Sequence, residues 1–336
     1  MLSVFRVPPE VAGQRLDLFL KAQFTRASRT RAQFIVRASA YDVRGKRLRP
    51  GGRVVAHQIV LLWRAPWDEA IAPTEVPILY EDDDLLAVDK PPNLPVHPTA
   101  RYHHNTLIKV LQRLRPSQFL SLGHRLDRET SGVLLVAKTA ACDRALKHDL
   151  EARTGIEKVY AAITWGVPCK VGERLRIDSP LELDMSHRTK VKMRVGTGPD
   201  ALAATTIFRG EQVARSQGRD YALVRCELYT GRQHQIRVHL ASVGTPIVGD
   251  KLYGPDESIF TRGADGVLTE EDLVRLELPR HALHARELRL PHPITRSALE
   301  IVAPLPDDMR VFWESLQGVT SREERDRDPP APAPHE

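Results

Sequence analysis

The apolar and polar positions of this chain set off a short N-terminal stretch from a longer region of alternating strands and helices, with a proline-bearing segment between them. After Gly13, residues 15–20 (Arg-Leu-Asp-Leu-Phe-Leu) open an amphipathic helix. Residues 29–37 read as a second, basic helix with Arg29, Arg31 and Arg37 exposed and Phe34 and Ile35 buried. A hairpin turn at 43–46, built on Gly45, precedes strands at 53–56 and 59–63. Residues 65–75, with Pro66 and Pro73, form a linker. From Val76 onward, short strands at 78–80 and 85–88 flank the acidic turn 81–84. Helices follow at 106–114 and 140–151, the second capped by Thr139. The apolar run 133–137 is a buried strand, and further strands fall at 159–164 and 221–228. Ile236, Leu240 and Val243 stand at i, i+4 and i+7 before Gly244, the pattern of a short helix with a glycine stop. Residues 188–194 alternate charge (Arg188, Lys190, Lys192, Arg194) as a basic strand would, and the acidic segment 255–276 reads as a helical excursion. Residues 321–336 combine charge with Pro-Pro-Ala-Pro-Ala-Pro and are expected to be disordered.

Charge sharpens this division. Residues 1–64 hold 13 Lys plus Arg against three acids, a local +10, which leaves −4 for the remainder of a chain whose formal net charge is +6. Charge kept only for solubility would not segregate in this way, so the natural partner of the N-terminal stretch is a polyanion. Cys142, Cys169 and Cys226 form no Cys-x-x-Cys pair, which argues against a disulfide framework and a cysteine-rich zinc site. No apolar run reaches 18 residues and residues 1–10 lack a hydrophobic signal core, so the chain is expected to be soluble and cytoplasmic, without membrane association.

The densest chemistry lies at residues 124–138, His-Arg-Leu-Asp-Arg-Glu-Thr-Ser-Gly-Val-Leu-Leu-Val-Ala-Lys. Asp127 stands two residues after Arg125, on a turn that leads into the apolar run. An acid on a loop at the mouth of a strand is held rigidly yet reaches a ligand, as a nucleophilic carboxylate must. The plain alternative is a surface ion pair of Arg125 with Asp127. The whole string resembles the signature of the pseudouridine synthases of the large ribosomal-RNA uridine synthase family, in which the Asp of His-Arg-Leu-Asp is catalytic.

Further segments resemble the same family, and the likeness spans most of residues 76–305. Lys90-Pro91-Pro92 followed by Val96-His97-Pro98 matches its opening motif, with Asn93 where Gly is usual. Asn is the non-glycine residue most tolerant of positive φ, so the turn can survive the change. Lys158-Val159-Tyr160 matches a Lys-x-Tyr that enters a strand. Considered alone, Tyr160 would be ordinary strand packing. The resemblance implies that it packs against a target uracil and helps remove the proton from carbon five, and an aromatic suits a flipped base because stacking rewards any pyrimidine face. Thr230-Gly231-Arg232-Gln233-His234-Gln235-Ile236-Arg237 matches a third motif, with Gln233 where Thr is common, and implies that Arg237 partners Asp127. Burial raises a carboxylate pKa and an opposing arginine lowers it by about 1 to 3 units, so such a partner keeps the nucleophile ionised. His234 and His239, five apart on a helix, lie on different faces, and no acid or cysteine cluster completes a metal site. Arg286, with residues 283–285 and 291–293, resembles the closing segment of the domain and is expected to serve structure.

The resemblance implies an α+β protein: the pseudouridine synthase fold, a mixed, largely antiparallel sheet with flanking helices and a central cleft, over residues 76–320. Two basic helices and a hairpin at 1–64 resemble the small alpha-L RNA-binding module, although the hairpin reads Val-Arg-Gly-Lys where Asn-Gly-Lys is usual. The implied reaction is isomerisation of uridine in structured RNA by an Asp nucleophile after base flipping, with no cofactor and no metal. Arg125 would take the place of the extruded base, and His124, Lys158 and Arg232 would contact the substrate. Arg26, Arg29, Arg31, Arg37, Lys46 and Arg47 would hold the RNA, and strand 188–194 would either line its backbone or form a solvated edge. A dedicated RNA-binding appendage favours large-subunit ribosomal RNA over transfer RNA, and the working unit is expected to be a monomer. Two rivals come from other classes. One is a non-catalytic RNA-binding or ribosome-assembly protein. The other is a hydrolase of glycosidic bonds, which needs two cooperating acids, Glu129 being the nearest second one.

Overall fold

The computed structural model describes residues 2–325 except 25–27, 64–68, 70, 100–101, 153–154, 188 and 190. The chain divides into two units, Met1–Asp68 and Glu69–Glu336. In the first, strands β1 (Leu2–Arg6), β2 (Ala40–Tyr41) and β3 (Ile59–Trp63) form an antiparallel sheet with β3 in the middle. Helices α1 (Leu16–Gln23) and α2 (Arg29–Ser39) supply Leu16, Phe19, Leu20 and Val36 to a core shared with Val60 and Leu62. Ser28 caps α2, its hydroxyl accepting from the Arg31 amide at 3.1 Å. In the hairpin turn, the Asp42 carboxylate accepts the amides of Arg44 (2.9 Å) and Lys46 (2.8 Å).

Two expectations need correcting in this unit, and one strand was not foreseen. The buried stripe of α2 is Ala32, Val36 and Ser39, and Phe34, two residues from either of the first two, faces the opposite way and is 60% exposed. Hydrophobicity favoured Phe34; the face that meets the core carries two small side chains instead. The strand expected at 53–56 shrinks to a single bridge between Arg53 and Arg15. Strand β1 has no counterpart in the sequence reading.

The second unit is built on a ten-stranded sheet. Its strands are β4 (Ile78–Glu81), β5 (Leu85–Lys90), β6 (Ser121–Leu122), β7 (Ser131–Ala137), β8 (Glu157–Trp165) and β9 (Arg174–Ile177), then β12 (Thr206–Ser216), β13 (Arg219–Leu228), β14 (Leu283–Pro291) and β15 (Ala298–Val302), while β10 (Leu181–Leu183) and β11 (Met193–Val195) pair separately. The order is β4-β5-β7-β14-β8-β13-β12-β9, with β15 beside β14 and β6 beside β7. Every pairing is antiparallel except β7 with β14, where His284 aligns with Ser131 and Ala285 with Gly132. A Cβ on Gly132, which has φ +109°, would stand 2.2 Å from the Ala285 carbonyl oxygen, so this close parallel contact requires glycine.

Strand β7 is buried along its whole length, as its unbroken apolar run demands. Leu134 and Val136 enter a core formed with helices α3 (Leu107–Leu114), α5 (Gln235–Ser242) and α8 (Asp307–Arg325). Val133, Leu135 and Ala137 face a second core closed by α4 (Ala140–Ala152), whose N-terminus is capped by Thr139. Helices α6 (Ser258–Asp265) and α7 (Glu270–Leu276) make up the acidic excursion. Asn93 has φ +64°, as its place in the turn required.

Corrections here concern chain ends and edges. Val243 is 42% exposed, because α5 stops before its third apolar position. Within 188–194 only Met193–Val195 forms a strand, and Arg188 and Lys190 lie outside the described residues. Lys192 is paired with Glu257 and Arg194 with Glu182, so these cations are tied into the protein itself. Helix α8 runs to Arg325, past the expected start of a disordered tail at 321, and residues 326–336 lie outside the described residues.

Candidate active site

Asp127 lies on the loop between β6 and β7, and buried cations fasten the backbone on its C-terminal side. The Lys90 ammonium donates to the carbonyls of Arg128 (3.0 Å), Leu94 (3.0 Å) and Pro91 (2.8 Å), which uses all three of its protons. Burial, with the charge of Arg280 adding to it, pushes Lys90 down to about 7. Arg280 donates to the Glu129 carbonyl at 3.1 Å and is itself held by both oxygens of Asp308 of α8 (2.6 and 2.8 Å). On the N-terminal side, the neutral His124 ring accepts the Leu135 amide through Nε2 at 3.2 Å, and burial lowers its pKa to about 3.

Arg237 reaches this loop from α5. Its Nε and Nη2 clasp the two oxygens of Asp250 at 2.6 and 2.9 Å, and Nη1 is left to meet Asp127 Oδ2 at 2.9 Å. Arg237 and Asp250 are both buried, and the Asp250 carboxylate also accepts the amides of Leu252 and Tyr253. The fork is therefore fixed before any substrate arrives, and its third nitrogen is aimed at one place. Gly249 permits the turn that carries Asp250: it has φ +77°, and a Cβ there would lie 2.0 Å from the Arg280 carbonyl oxygen.

Burial tends to raise the Asp127 pKa, but the positive charge that His234, Arg237 and His281 can carry outweighs it and holds the carboxyl below its ordinary value. His234 is lowered to about 4 and His281 to about 3, chiefly by burial and then by Arg237. Near neutral pH both imidazoles are thus uncharged, and Arg237 is the permanent counter-charge. His234 is a non-glycine residue at φ +57°, immediately before α5. Its Nδ1 lies 2.9 Å from the Tyr253 hydroxyl and its Nε2 3.7 Å from Asp127, too far for a direct hydrogen bond. The Tyr253 hydroxyl also accepts the Met193 amide, so the arrangement that satisfies every group has Tyr253 donating to Nδ1 and the imidazole proton on Nε2.

The Asp127 carboxylate opens into a cavity of about 360 Å³, large enough for a small ligand, with Tyr160 in its wall. Tyr160 is buried in β8, flanked by Cys226 of β13 and Ala285 of β14. Burial and the negative charge of Asp127 drive its phenol pKa upward, so the phenol stays protonated. A second cavity of about 500 Å³ shares Asp127, Arg125, His234 and Arg237 with the first and runs on to His97 and Phe260.

Each residue expected to contact the substrate lines the first cavity. Arg125 is exposed at its edge, Lys158 and His124 are half-buried, and Arg232 donates from Nε to the Ala203 carbonyl at 3.1 Å. Glu129 is engaged by Lys251 (2.9 Å) and Arg128 (3.1 Å), so its carboxylate is held in ion pairs of its own. His234 and His239 diverge, the latter meeting Thr206 Oγ1 (2.9 Å) and the Ser179 carbonyl (3.0 Å). In the N-terminal unit Arg29, Arg31, Arg37, Lys46 and Arg47 are exposed, Arg29 lying 3.6 Å from Asp17; Arg26 is outside the described residues. Sequence reasoning missed Asp250, Lys251, Arg280 and His281. Asp250, an isolated acid after the apolar pair Ile247-Val248, was the one signal available; the others gain their roles only through folding.

The profile of a family described as RNA pseudouridylate synthase matches residues 84–242. A ribosomal large subunit pseudouridine synthase D of Xanthomonas campestris pv. campestris is 34% identical over 327 residues, covering 94% of this chain and 93% of that protein. The protein of the same description from Nitrosomonas europaea is 35% identical, covering 93% and 87%. Among solved structures, human RNA pseudouridylate synthase domain containing 4 is similar with a TM-score of 0.54 and 29% identity, over 72% of this chain and 93% of that one.

Proposed function

This chain belongs to the RNA pseudouridylate synthase family and is an RNA uridine isomerase, and on that footing we propose that it acts on large-subunit ribosomal RNA with Asp127 as nucleophile on a flipped uridine. The RNA target follows the relatives' descriptions, which concern the large ribosomal subunit, and the basic N-terminal unit suits a structured polyanion. No helix among the described residues is long and apolar enough to cross a membrane.

The reaction breaks the bond from uracil N1 to ribose C1′, turns the base, and joins C5 to C1′. The C5 proton leaves and N1 gains one, so nothing is added or lost. The target base first leaves its stack, at a cost of a few kcal/mol that is smallest in loops and bulges. Arg125, exposed at the cavity edge, fills the gap left behind. Asp127 attacks while anionic, and Arg237 holds it so without itself titrating. Tyr160 serves as a neutral wall for the ring; a protonated phenol is a poor base, so it takes the C5 proton only if substrate binding changes its surroundings.

The observation that carries this assignment is the 2.9 Å contact of Asp127 with an arginine whose other two nitrogens already donate to Asp250. The test uses ribosomal RNA tritiated at uridine C5. Wild-type protein should release tritium without liberating uracil, whereas Asp127→Asn should release none while still binding the RNA. Free uracil as the product would instead establish a hydrolase.

A further inference from the structure

Phe34 is out of place for a core residue and well placed for another role. It stands on the solvent side of α2, 60% exposed, with the Arg31 guanidinium carbon 5.4 Å from its ring centroid. Arg29 and Arg37 are exposed on the same helix. The hairpin of the same unit repeats the combination: Arg47 lies 5.8 Å from the Tyr41 ring centroid and donates to its hydroxyl at 3.3 Å. An exposed aromatic costs solubility unless something stacks on it, whereas an arginine serving only as a phosphate anchor needs no ring beside it. Planar guanidinium and aromatic ring together present two π surfaces of the kind that hold unstacked nucleobases.

We propose that Phe34, with Arg31, is a stacking platform for an unpaired base of the RNA, so that the N-terminal unit selects loops and bulges as well as adding positive charge. This rests on the reading that the unit binds RNA. It deepens that reading by naming the feature selected: a base free of a pairing partner, recognised by its face and not its edge. Stacking and ion pairing respond differently to salt. Phosphate contacts release counterions and weaken as salt rises, while base stacking releases none.

The experiment measures binding of full-length protein to two RNAs of equal length and charge, one a hairpin with a six-nucleotide loop and the other a fully paired duplex, across a salt series. Phe34→Ala should weaken hairpin binding about five- to a hundredfold, leave duplex binding within twofold, and leave the log–log salt slope for the hairpin unchanged. Phe34→Trp should restore the hairpin preference. Arg31→Ala should reduce the slope on both RNAs. Equal loss on hairpin and duplex, or no loss on either, overturns the platform, and so does a lowered melting temperature for Phe34→Ala, which would make Phe34 a packing residue. The broader reading fails separately: if Arg31→Ala and Arg37→Ala together leave every salt slope unchanged, the unit is not an RNA anchor at all.

Discussion

The two units of this chain keep their charges in opposite ways. In Met1–Asp68 the described cations stand wholly or partly in solvent, and the one buried carboxylate among the described residues, Asp17, is paired with Arg15, whose side chain is itself 38% exposed. In Glu69–Glu336 the charges around Asp127 are inside: Lys90, Arg237, Asp250 and Arg280 are all buried, and each has fixed partners. Exposed charges contribute by number, since each is screened and can shift. Buried ones contribute by geometry, because a charge stripped of water depends on the atoms left around it. The first unit can therefore lose a residue and weaken by degrees, and the second should fail abruptly.

The sharpest break of that contrast is Asp127→Asn. Turnover measured by tritium release should fall at least about a thousandfold while RNA affinity stays within a few fold, since shape is kept and the anionic nucleophile is lost. Retention of a tenth of wild-type turnover would remove Asp127 from that role. Asp250→Ala comes next. It strips a buried arginine of its bidentate partner and should cost about 3 to 5 kcal/mol in urea unfolding. A cost below about 1 kcal/mol would mean that Arg237 has another anchor.

Arg237→Gln tests the electrostatics directly. If Asp127 is the nucleophile as proposed, activity needs it ionised, so in the wild type activity persists above the depressed pKa and is lost only as pH falls through a value below the ordinary 3.8. Without Arg237, burial is opposed only by such charge as His234 and His281 carry, and the acid limb of the kcat/KM profile should move up by about 1 to 3 pH units. An unmoved limb would assign the depression to other groups. The smallest effect is expected in the first unit. Arg37→Ala should appear in KM, and the salt slope of binding should fall by about 0.7 to 0.9, the share of a single neutralised phosphate. A fall confined to kcat would contradict the division of labour between the units.

What is legible in the sequence follows from the same physics. The β7 strand and the capped α4 helix are readable because their signals are local: an apolar run, a threonine at the right offset. Asp127, Tyr160 and Arg237 are readable as motif positions, through resemblance. The clasp of Asp250 on Arg237, and Arg280 holding the Glu129 carbonyl 151 residues away, are not. Nothing near those residues in the chain records the partner that folding brings. Phe34 misleads because hydrophobicity alone assigns it to the core, while α2 turns the small Ala32 and Ser39 inward beside Val36. The basic alternation at 188–194 is real in sequence, but Glu257 and Glu182 take up two of its cations.

Strand β14 separates β7 from β8 in the sheet, and so stands between the strand behind Asp127 and the strand that carries Tyr160. It is also made late, ending at Pro291. At translation rates of about 5 to 20 residues per second, the first unit leaves the ribosome roughly 10 to 45 seconds before this divider does. Until then the two halves of the sheet have no common neighbour, and Asp127 has no fixed wall opposite. If the first unit binds RNA as proposed, a nascent chain can carry that surface while it is still catalytically blank. On that reading the order of synthesis makes recognition precede reaction, and a truncation between residues 69 and 283 should act as a competitor of the intact enzyme.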